Sequence, residues 1–337
     1  MRLLFMNNYP MDTAWQLVKA GEYPAHHLWG LAGLGEYGIE VDILPYQRIV
    51  RLKHTRYGDM DQQLRALLRA SRYDVIYSAC ASTTAFLARL RQHGMFSKRL
   101  VAILYSVQVG QRFIDGHDKL ICLSSRIQQQ LADTYRTDGK IETLHWGQDL
   151  DFCGPMIEFD RRTGGYILAS GKTHRDYDTF LQACKPLDFP VLISCGEGAA
   201  PAMHDVPPHV TVRARWVSSR DSIDEHRHAY AIAIPIRMPV DKTPDLYGLT
   251  SLLDAMAAGT PVVMTRNDLF DIDIEKEGIG LWVEPGDVHG WTEALSYLIA
   301  SPGVARAMGE RGRRLAEQSY NLKTFTAGLG ALLKRIV

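Results

Sequence analysis

Short apolar runs alternate with stretches of helical periodicity along the 337 residues, and this alternation limits the possible folds more than any other feature. In the first half, helical patterns such as 26–36 and 61–70 separate apolar runs that predict strands at 2–6, 39–44, 75–77, 100–105, 119–123 and 141–144. The second half restarts the same rhythm, with strands predicted at 166–169, 191–194, 210–213, 232–235, 262–265 and 281–283. Strands that alternate with helices form βαβ units, and these produce parallel sheets. The sequence therefore predicts an α/β protein with two Rossmann-like, doubly wound domains facing a cleft, with ligands at the carboxyl ends of the strands.

The boundary between the domains is expected within residues 146–163, where strand and helix periodicity both lapse. We predict an N-terminal domain at 1–150 and a second domain at 151–320. Residues 321–337 have an apolar stripe and are expected to form a C-terminal helix that can cross back to the first domain.

The composition excludes several classes of protein. Lys and Arg number 38, as do Asp and Glu, so bulk charge gives no support for a nucleic-acid partner. The five cysteines include no C-x-x-C pair, which favours reduced thiols and argues against a cysteine zinc site. The apolar run at the N-terminus is too short for a signal peptide or a spanning helix. A cytoplasmic protein is expected, with peripheral membrane contact left open.

The segment from Gly248 to Val263 predicts a phosphate site. A glycine turn brings Thr250 and Ser251 to the start of an Ala-, Leu- and Met-rich helix. Such a helix start exposes backbone N–H groups and the positive end of the helix dipole, and the hydroxyls can cap it or donate to an anion. Asp254, about one turn further on, could bind the vicinal hydroxyls of a ribose. Together these groups indicate a nucleoside-diphosphate site.

Five segments in order resemble the GT-B glycosyltransferases, specifically the large retaining group 1 family (family 4-like) that includes sucrose- and glycogen-synthase-like enzymes. The first two resemble the family's D-x-h-h-x-x-S strand, where h is apolar, and its passage into the interdomain linker. The next resembles the strand ending in G-R/K that opens the donor domain, and the last two resemble A-D-h-h-h-x-P and G-x-x-x-x-E-A-M-A-x-G-x-P-V-V. They are residues 118–125, 141–152, 167–172, 229–235 and 248–263. The resemblance implies nucleotide-sugar binding by the C-terminal domain and acceptor binding by the N-terminal domain.

By this resemblance, Lys172 and Arg175, in the loop that begins at Gly171, are catalytic cations that stabilise the departing diphosphate. A leaving diphosphate accumulates negative charge, so preorganised cations would lower the barrier. The alternative interpretation is a polar loop capped by Asp176.

The same resemblance places Asp254 where the family has its ribose-binding glutamate. The family's other glutamate, eight residues earlier, aligns with the apolar Leu246, and Asp245 lies one place away. Either Asp245 contacts the donor sugar after a local shift, or backbone groups near Tyr247 and Gly248 do so. The predicted nucleotide-sugar-binding residues of this segment are Asp245, Tyr247, Gly248, Leu249, Thr250, Ser251 and Asp254.

Two further loops of the second domain are candidates for the same ligand. Gly196 and Glu197 follow a strand, where glycine would let the backbone approach a ligand, although a plain turn is an equal alternative. Arg215, Trp216 and Val217 resemble the place where the family holds the nucleobase. Trp216 would stack on the base, or else pack in the core.

In the N-terminal domain, His26 is the candidate base for the acceptor proton, with its neighbour His27 as an alternative. Paired histidines at a helix start can also be capping or solvated groups. The family's tandem glycines after the first strand are missing here, as is its usual histidine after the fourth. In a retaining enzyme the donor phosphate would take the proton instead.

Two other motifs are rejected. Residues 33–38 match G-x-G-x-x-G, but they end a predicted helix instead of opening one after a strand. His226 and His228 point apart on a helix, and no carboxylate or cysteine stands in ligand spacing, so no metal site is predicted.

These expectations describe a metal-independent glycosyltransferase that moves a hexose from a UDP- or GDP-sugar to an acceptor hydroxyl, with retention. The donor would be a substrate, so no cofactor is expected. The acceptor, whether glycan, lipid-linked sugar or small molecule, is left open. The alternatives are a GT-B-fold sugar-nucleotide epimerase and a catalytically degenerate nucleotide-sugar-binding partner.

Overall fold

The computed structural model describes residues 1–46, 49–53, 55–157, 164–202, 205–238 and 245–337. The chain forms two compact units. Unit 1 consists of Met1–Asp149 and Leu322–Val337, and unit 2 of Leu150–Asn321. Part of the expected join, residues 158–163, lies outside the described residues.

Unit 1 contains a parallel sheet with the strand order β2-β1-β3-β4-β5-β6 in the described part of the chain. β1 pairs with β2 on one side and with β3 on the other, so Leu3 is in register with both Val41 and Val75. This order is a doubly wound topology, with its switch point between β1 and β3. The strands are β1 Arg2–Met6, β2 Glu40–Ile43, β3 Val75–Ser78, β4 Arg99–Leu104, β5 Lys119–Cys122 and β6 Ile141–Thr143.

The helices of unit 1 differ from the prediction in two places. The α-helix expected at 26–36 is wrong: two 3-10 turns stand there, Ala25–Leu28 and Leu31–Tyr37. They are separated by left-handed backbone at Trp29 and Gly30, which no α-helix can include. A short helix, α1, had not been anticipated. The helices are α1 Met11–Lys19, α2 Met60–Arg69, α3 Ala85–Gln92, α4 Gln111–Asp115 and α5 Ser125–Thr134.

Unit 2 contains a second parallel sheet, with the order β12-β11-β10-β7-β8-β9 among the described residues. Numbered within the unit, this is the 3-2-1-4-5-6 order of dinucleotide-binding domains read from the other edge. The strands are β7 Ile167–Ser170, β8 Val191–Cys195, β9 Val210–Ala214, β10 Ala231–Ile234, β11 Val262–Thr265 and β12 Gly280–Val283. The helices are α6 Leu150–Cys153, α7 Tyr177–Cys184, α8 Ser219–His228, α9 Leu249–Ala258, α10 Val288–Ala300 and α11 Pro302–Gln318. The predicted α/β class with two Rossmann-like sheets is confirmed.

The strands of unit 2 are apolar because helices cover them. Phe180 on α7 and Trp291 on α10 are both buried, and their rings meet edge to face with centroids 5.5 Å apart. Such aromatic contacts contribute beyond the area they bury. None of the five cysteines forms a disulfide, and all but Cys80 are buried. This core fixes the sheet whose carboxyl edge carries the candidate site.

The C-terminal helix, α12 (Leu322–Ile336), belongs to unit 1. The backbone N–H of Leu322 donates to the carbonyl of Gln148 at 2.8 Å. Further along, Phe325 and Leu329 are buried against Gly30, where an added Cβ would stand 3.0 Å from the Leu329 side chain. The 3-10 segment therefore forms one layer of the surface on which α12 packs.

Replacing Leu329 with Ala should destabilise unit 1 by about 2–5 kcal/mol, because the fully buried side chain would leave a cavity. Chemical denaturation would measure this loss. Ala331→Ser on the exposed face of α12 is the matched control and should change stability by less than about 0.5 kcal/mol. Equal stability of the two variants would contradict the packing described for α12.

Candidate functional site

The loops that follow β7, β8 and β9 emerge at the carboxyl edge of the unit 2 sheet, since all its strands are parallel. They carry the predicted residues Gly171 to Arg175, Gly196 and Glu197, and Arg215 to Val217. Helix α9 begins near the same edge, because Gly248 lies against Ile234, the last residue of β10. This edge is the ligand-binding side of doubly wound sheets.

Helix α9 begins without a side-chain cap. Gly248 precedes it with φ at 91°, a conformation that strains any residue with a Cβ. A Cβ there would also stand 2.8 Å from Met264 and 2.9 Å from Ile234. Capping by Thr250 or Ser251 was expected and is wrong, since the helix starts earlier, at Leu249. Among the described residues, the N–H groups of Thr250 and Ser251 have no acceptor, so they are available to an anion.

Arg175 ties the loop after β7 to this helix start. Its Nη2 donates to Ser251 Oγ at 2.8 Å, and its Nε donates to the Ser170 carbonyl at 2.9 Å. The guanidinium lies over Gly171, where a Cβ would stand 2.5 Å from Nη2. Burial lowers the pKa of Arg175 from its ordinary value. Arg175 is therefore a fixed cation beside the helix start, with much of its donor capacity already used by the protein.

Lys172, in the same loop as Arg175, has an exposed side chain. This side chain forms no hydrogen bond or ion pair within the described ranges. A Cβ added at Gly196 would lie 3.8 Å from Lys172 Cβ, so the loops after β7 and β8 meet here. Glu197 begins an exposed 3-10 turn next to this contact. Lys172 can thus reach an anion at this edge without first breaking a contact.

Asp254 is partly buried on α9 and has no hydrogen-bond partner in the described part of the chain. Burial raises its pKa from 3.8 to about 6, while His226 acts in the opposite direction. His226 itself is buried; its Nε2 lies 3.3 Å from Ser170 Oγ and its Nδ1 lies 2.7 Å from the Ser222 carbonyl. From the sequence, His226 was considered only as a metal ligand. Apart from the position of His226 late in α8, nothing in the sequence indicates that it lies near Asp254, the residue predicted to bind the ribose.

The segment before α9 is held by residues that the sequence did not single out. The ring of His174, whose φ is 52°, lies on Tyr247 with centroids 4.2 Å apart. Asn267 Nδ2 donates to the carbonyl of Asp245 at 2.8 Å. Burial raises the pKa of Asp245. Leu246 is buried, so its side chain is a packing group and Asp245 supplies the carboxylate of this turn.

Trp216 follows β9 and is 81% exposed, which excludes the core-packing alternative. Its neighbour Arg215 is exposed too, and Val217 is half-buried. An exposed Trp at the carboxyl edge of the sheet offers a free aromatic face, which a nucleobase can stack on.

In unit 1, His26 is buried inside an aromatic cluster. Its ring lies 4.1 Å from that of His27 and 5.3 Å from that of Trp146, and its Nδ1 accepts from the Asp149 N–H at 3.2 Å. Burial holds the pKa of His26 well below 6.5. Because His26 is buried, the alternative interpretation of His26 as a solvated histidine is wrong. Its Nε2 is closed to solvent and has no partner among the described residues, so a ligand cannot reach it in this conformation.

Among the described residues, no group of three or more His, Cys, Asp or Glu side chains is placed to hold a metal ion. In the same part of the chain, none of the helices is long and apolar enough to cross a membrane.

Comparison with known proteins gives a family match at this site. Residues 247–315 match the family model described as "Glycosyl transferases group 1". The matched segment begins at Tyr247 and includes α9. The expected group 1 resemblance is confirmed by this match.

Curated relatives are glycosyltransferases as well. A D-inositol 3-phosphate glycosyltransferase of Saccharomonospora viridis is 31% identical over 110 residues, covering 33% of this chain and 24% of the relative. The enzyme of the same name from Mycolicibacterium paratuberculosis is 24% identical over 250 residues, covering 67% of this chain and 55% of the relative. The matches thus span between about a quarter and just over half of these relatives' length.

Solved structures share the whole fold. A sucrose-phosphate synthase of Thermosynechococcus elongatus matches with a TM-score of 0.71 and 16% identity, over 99% of this chain and 98% of that one. The Anabaena protein Alr3699/HepE, solved in complex with UDP-glucose, matches with a TM-score of 0.68 and 12% identity, over 99% and 100% of the two chains. The chain therefore has the GT-B glycosyltransferase fold.

Replacing Asp254 with Asn should stabilise the protein at neutral pH by up to about 3 kcal/mol, because the native state then no longer holds an ionised, unpaired carboxylate. The raised pKa means that the native state binds this proton more tightly than the unfolded state. The gain should therefore be complete above pH 6 and disappear as the pH falls towards 3.8.

Denaturation of the wild type and the variant over this pH range would measure the effect. The exposed Asp268→Asn is the control and should change stability by less than about 0.5 kcal/mol at every pH. A destabilised Asp254→Asn protein at neutral pH would contradict the description of Asp254 as unpaired.

Proposed function

We propose that this chain, with its group 1 match and GT-B fold, is a glycosyltransferase that moves a hexose from a nucleotide-diphosphate sugar to an acceptor hydroxyl. We further propose that it acts with retention and requires neither a metal nor a cofactor. The donor would be a UDP- or GDP-sugar bound at the carboxyl edge of the unit 2 sheet.

The observation that carries this proposal is the start of α9. Two backbone N–H groups without acceptors stand beside the Arg175–Ser251 hydrogen bond, and the free Lys172 belongs to the loop that Arg175 anchors. N–H donors, the helix dipole and two cations together favour a dianionic ligand over any neutral one. Asp254, one turn further along α9, is an acceptor suited to ribose hydroxyls. A diphosphate next to a ribose is the common part of all nucleotide sugars.

The same groups would supply the catalysis. As the bond between the sugar and the diphosphate breaks, negative charge grows on the leaving oxygen. Fixed N–H donors and Arg175 need little reorganisation to stabilise that charge, and Lys172 can move onto it. Each such interaction is expected to lower the barrier by about 3 kcal/mol, by analogy with oxyanion-hole donors. These groups supply the positive charge that a metal ion provides in other transferases.

Retention is supported by the position of His26. Because its Nε2 is buried, it is not offered as a base to the acceptor hydroxyl. The departing phosphate oxygen would then take the acceptor proton on the face that the leaving group vacates. This route places the new bond on the same face as the old one.

The comparisons support the donor class. The Anabaena protein that shares the fold is solved with UDP and with UDP-glucose. Both curated relatives described above carry the name D-inositol 3-phosphate glycosyltransferase. The base and sugar of the donor, and the acceptor that this chain uses, are part of the proposal.

Two alternatives predict different products from a purified protein. An epimerase would convert one nucleotide sugar into another without an acceptor, and a degenerate partner would bind the donor without turnover. Slow release of free sugar from the donor, with water as the acceptor, is expected for a transferase. NMR of the first-formed sugar would report its anomeric configuration, and an inverted product would refute retention.

Lys172→Ala and Asp254→Ala should each weaken donor binding by at least about tenfold, since each removes a group assigned to the ligand. Calorimetric titration of each variant with the donor would measure the loss. Lys276→Ala, an exposed lysine elsewhere in unit 2, is the matched control and should bind as the wild type does. Wild-type affinity in the first two variants would overturn the site assignment.

Donor affinity should also depend on the charge of Asp254. The carboxylate accepts hydrogen bonds from the ribose, so affinity should be constant above pH 6 and fall as the pH drops below that value. In Asp254→Asn this step should be absent. An unchanged pH profile in the variant would show that another group governs the binding.

A further inference from the structure

Two arginines lie against one aromatic ring in unit 1, and the donor site in unit 2 makes no use of them. The basic cluster consists of Arg56, on the loop between β2 and α2, and Arg89 on α3. Arg56 and Arg89 both lie over the ring of Tyr57, with Cζ 4.6 Å and 5.4 Å from its centroid. Both arginines are exposed, so a ligand can reach them from solvent.

The fold brings the cluster to the carboxyl edge of the unit 1 sheet. The turn 55–58 docks on the turn after β3, where the Asp59 N–H donates to the Ser82 carbonyl at 2.9 Å. Gly58 is required at this contact, because a Cβ would stand 1.9 Å from Ser82 O. The loops after β2 and β3 therefore form one surface, on the side where doubly wound sheets bind their ligands.

Gln63 holds this surface in place. It is fully buried; its Nε2 donates to the Tyr57 carbonyl at 2.9 Å and its Oε1 accepts from the Phe86 N–H at 2.6 Å. One side chain thus connects the loop of Arg56 to the helix of Arg89. The hydrogen bond from the Phe86 N–H to Gln63 Oε1 already occupies a backbone donor at the start of α3. The positive charge of this surface therefore comes from the side chains and not from the helix N-terminus.

Within the ranges that the structure describes, no carboxylate pairs with the basic cluster, since neither Arg56 nor Arg89 forms an ion pair. Asp59 is buried, and its two oxygens accept from the backbone and side chain of Gln62. Two like charges held on one surface repel each other unless an anion joins them.

We propose that the basic cluster is a binding site for a phosphate group, carried by the acceptor of the transfer reaction. A pair of arginines suits phosphate, since each guanidinium can donate to two of the phosphate oxygens. The exposed Ser82 hydroxyl, 3.2 Å from Cys80 Sγ, adds a neutral donor at the same edge. That the phosphate belongs to an acceptor rests on the proposed function, whereas phosphate binding itself does not.

The first test uses inorganic phosphate as the probe, with the full chain and with ionic strength held constant. Phosphate should raise the melting temperature of the wild type. Arg56→Gln and Arg89→Gln should each weaken this binding by about tenfold, because each removes one charge-assisted contact. Arg72→Gln, an exposed arginine elsewhere in unit 1, is the matched control and should leave it unchanged.

A second set of variants separates this site from the donor site. Lys172→Ala should retain the phosphate response, and Arg89→Gln should retain nucleotide binding. A response lost in Lys172→Ala and kept in Arg56→Gln and Arg89→Gln would overturn the proposal, as would an equal loss in Arg72→Gln. Failure of nucleotide binding with an intact phosphate response would refute the donor proposal alone.

Vesicles distinguish the source of the phosphate. Phosphatidylcholine vesicles with and without phosphatidylglycerol would be mixed with the wild type and with the Arg56→Gln, Arg89→Gln double variant. Capture that requires both the anionic lipid and the two arginines supports a lipid-borne phosphate. A response to inorganic phosphate without capture supports a water-soluble acceptor. Absence of any arginine-dependent response in both experiments overturns the proposal.

Discussion

The left-handed backbone at Gly248 is the constraint on which the proposed donor site depends. The turn brings the chain so close to β10 and β11 that a Cβ would overlap Ile234 and Met264. Helix α9 begins directly after this turn, at Leu249, and the N–H groups of Thr250 and Ser251 have no acceptors in the described structure. A Ser or Asp cap in place of Gly248 would satisfy one of those donors and put a competing acceptor where an anion would bind. The helix thus lacks a stabilising cap at the place where we propose that the diphosphate binds.

The cations and the carboxylate of unit 2 follow the same pattern. Arg175 is buried against carbonyl oxygens and Ser251, which preorganises its charge, while Lys172 forms no ion pair with the described residues. Asp254 has no hydrogen-bond partner in the described part of the chain, and burial raises its pKa. In unit 1, Gln63 fixes the backbone of the basic cluster, and no carboxylate of the described ranges pairs with the two arginines. Groups left unsatisfied by a rigid frame are characteristic of binding sites.

The sequence predicted the strands of both sheets to within about two residues, because parallel strands are buried on both faces and read as short apolar runs. It failed at residues 26–36, where apolar spacing suggests a helix but Trp29 and Gly30 adopt left-handed backbone. The motif residues of the donor loops were identified through the family resemblance, which rests on the order and spacing of short motifs. The contacts of His174 with Tyr247 and of Ser170 with His226 join segments far apart in the chain, so no local pattern could reveal them. The same holds for Gln63, whose partners lie on the loop before α2, on the turn after β3 and on α3.

The central claim is that the start of α9 binds the diphosphate of a nucleoside diphosphate. The most direct measurement is a thermal-shift panel of UDP, GDP, ADP, TDP and CMP, each with and without EDTA. A diphosphate at ~100 times its dissociation constant should add about 2.7 kcal/mol to the stability of the folded chain. We expect one nucleoside diphosphate to raise the melting temperature clearly, and we expect EDTA to leave this increase unchanged. No shift with any of them, or a shift that EDTA abolishes, would contradict it.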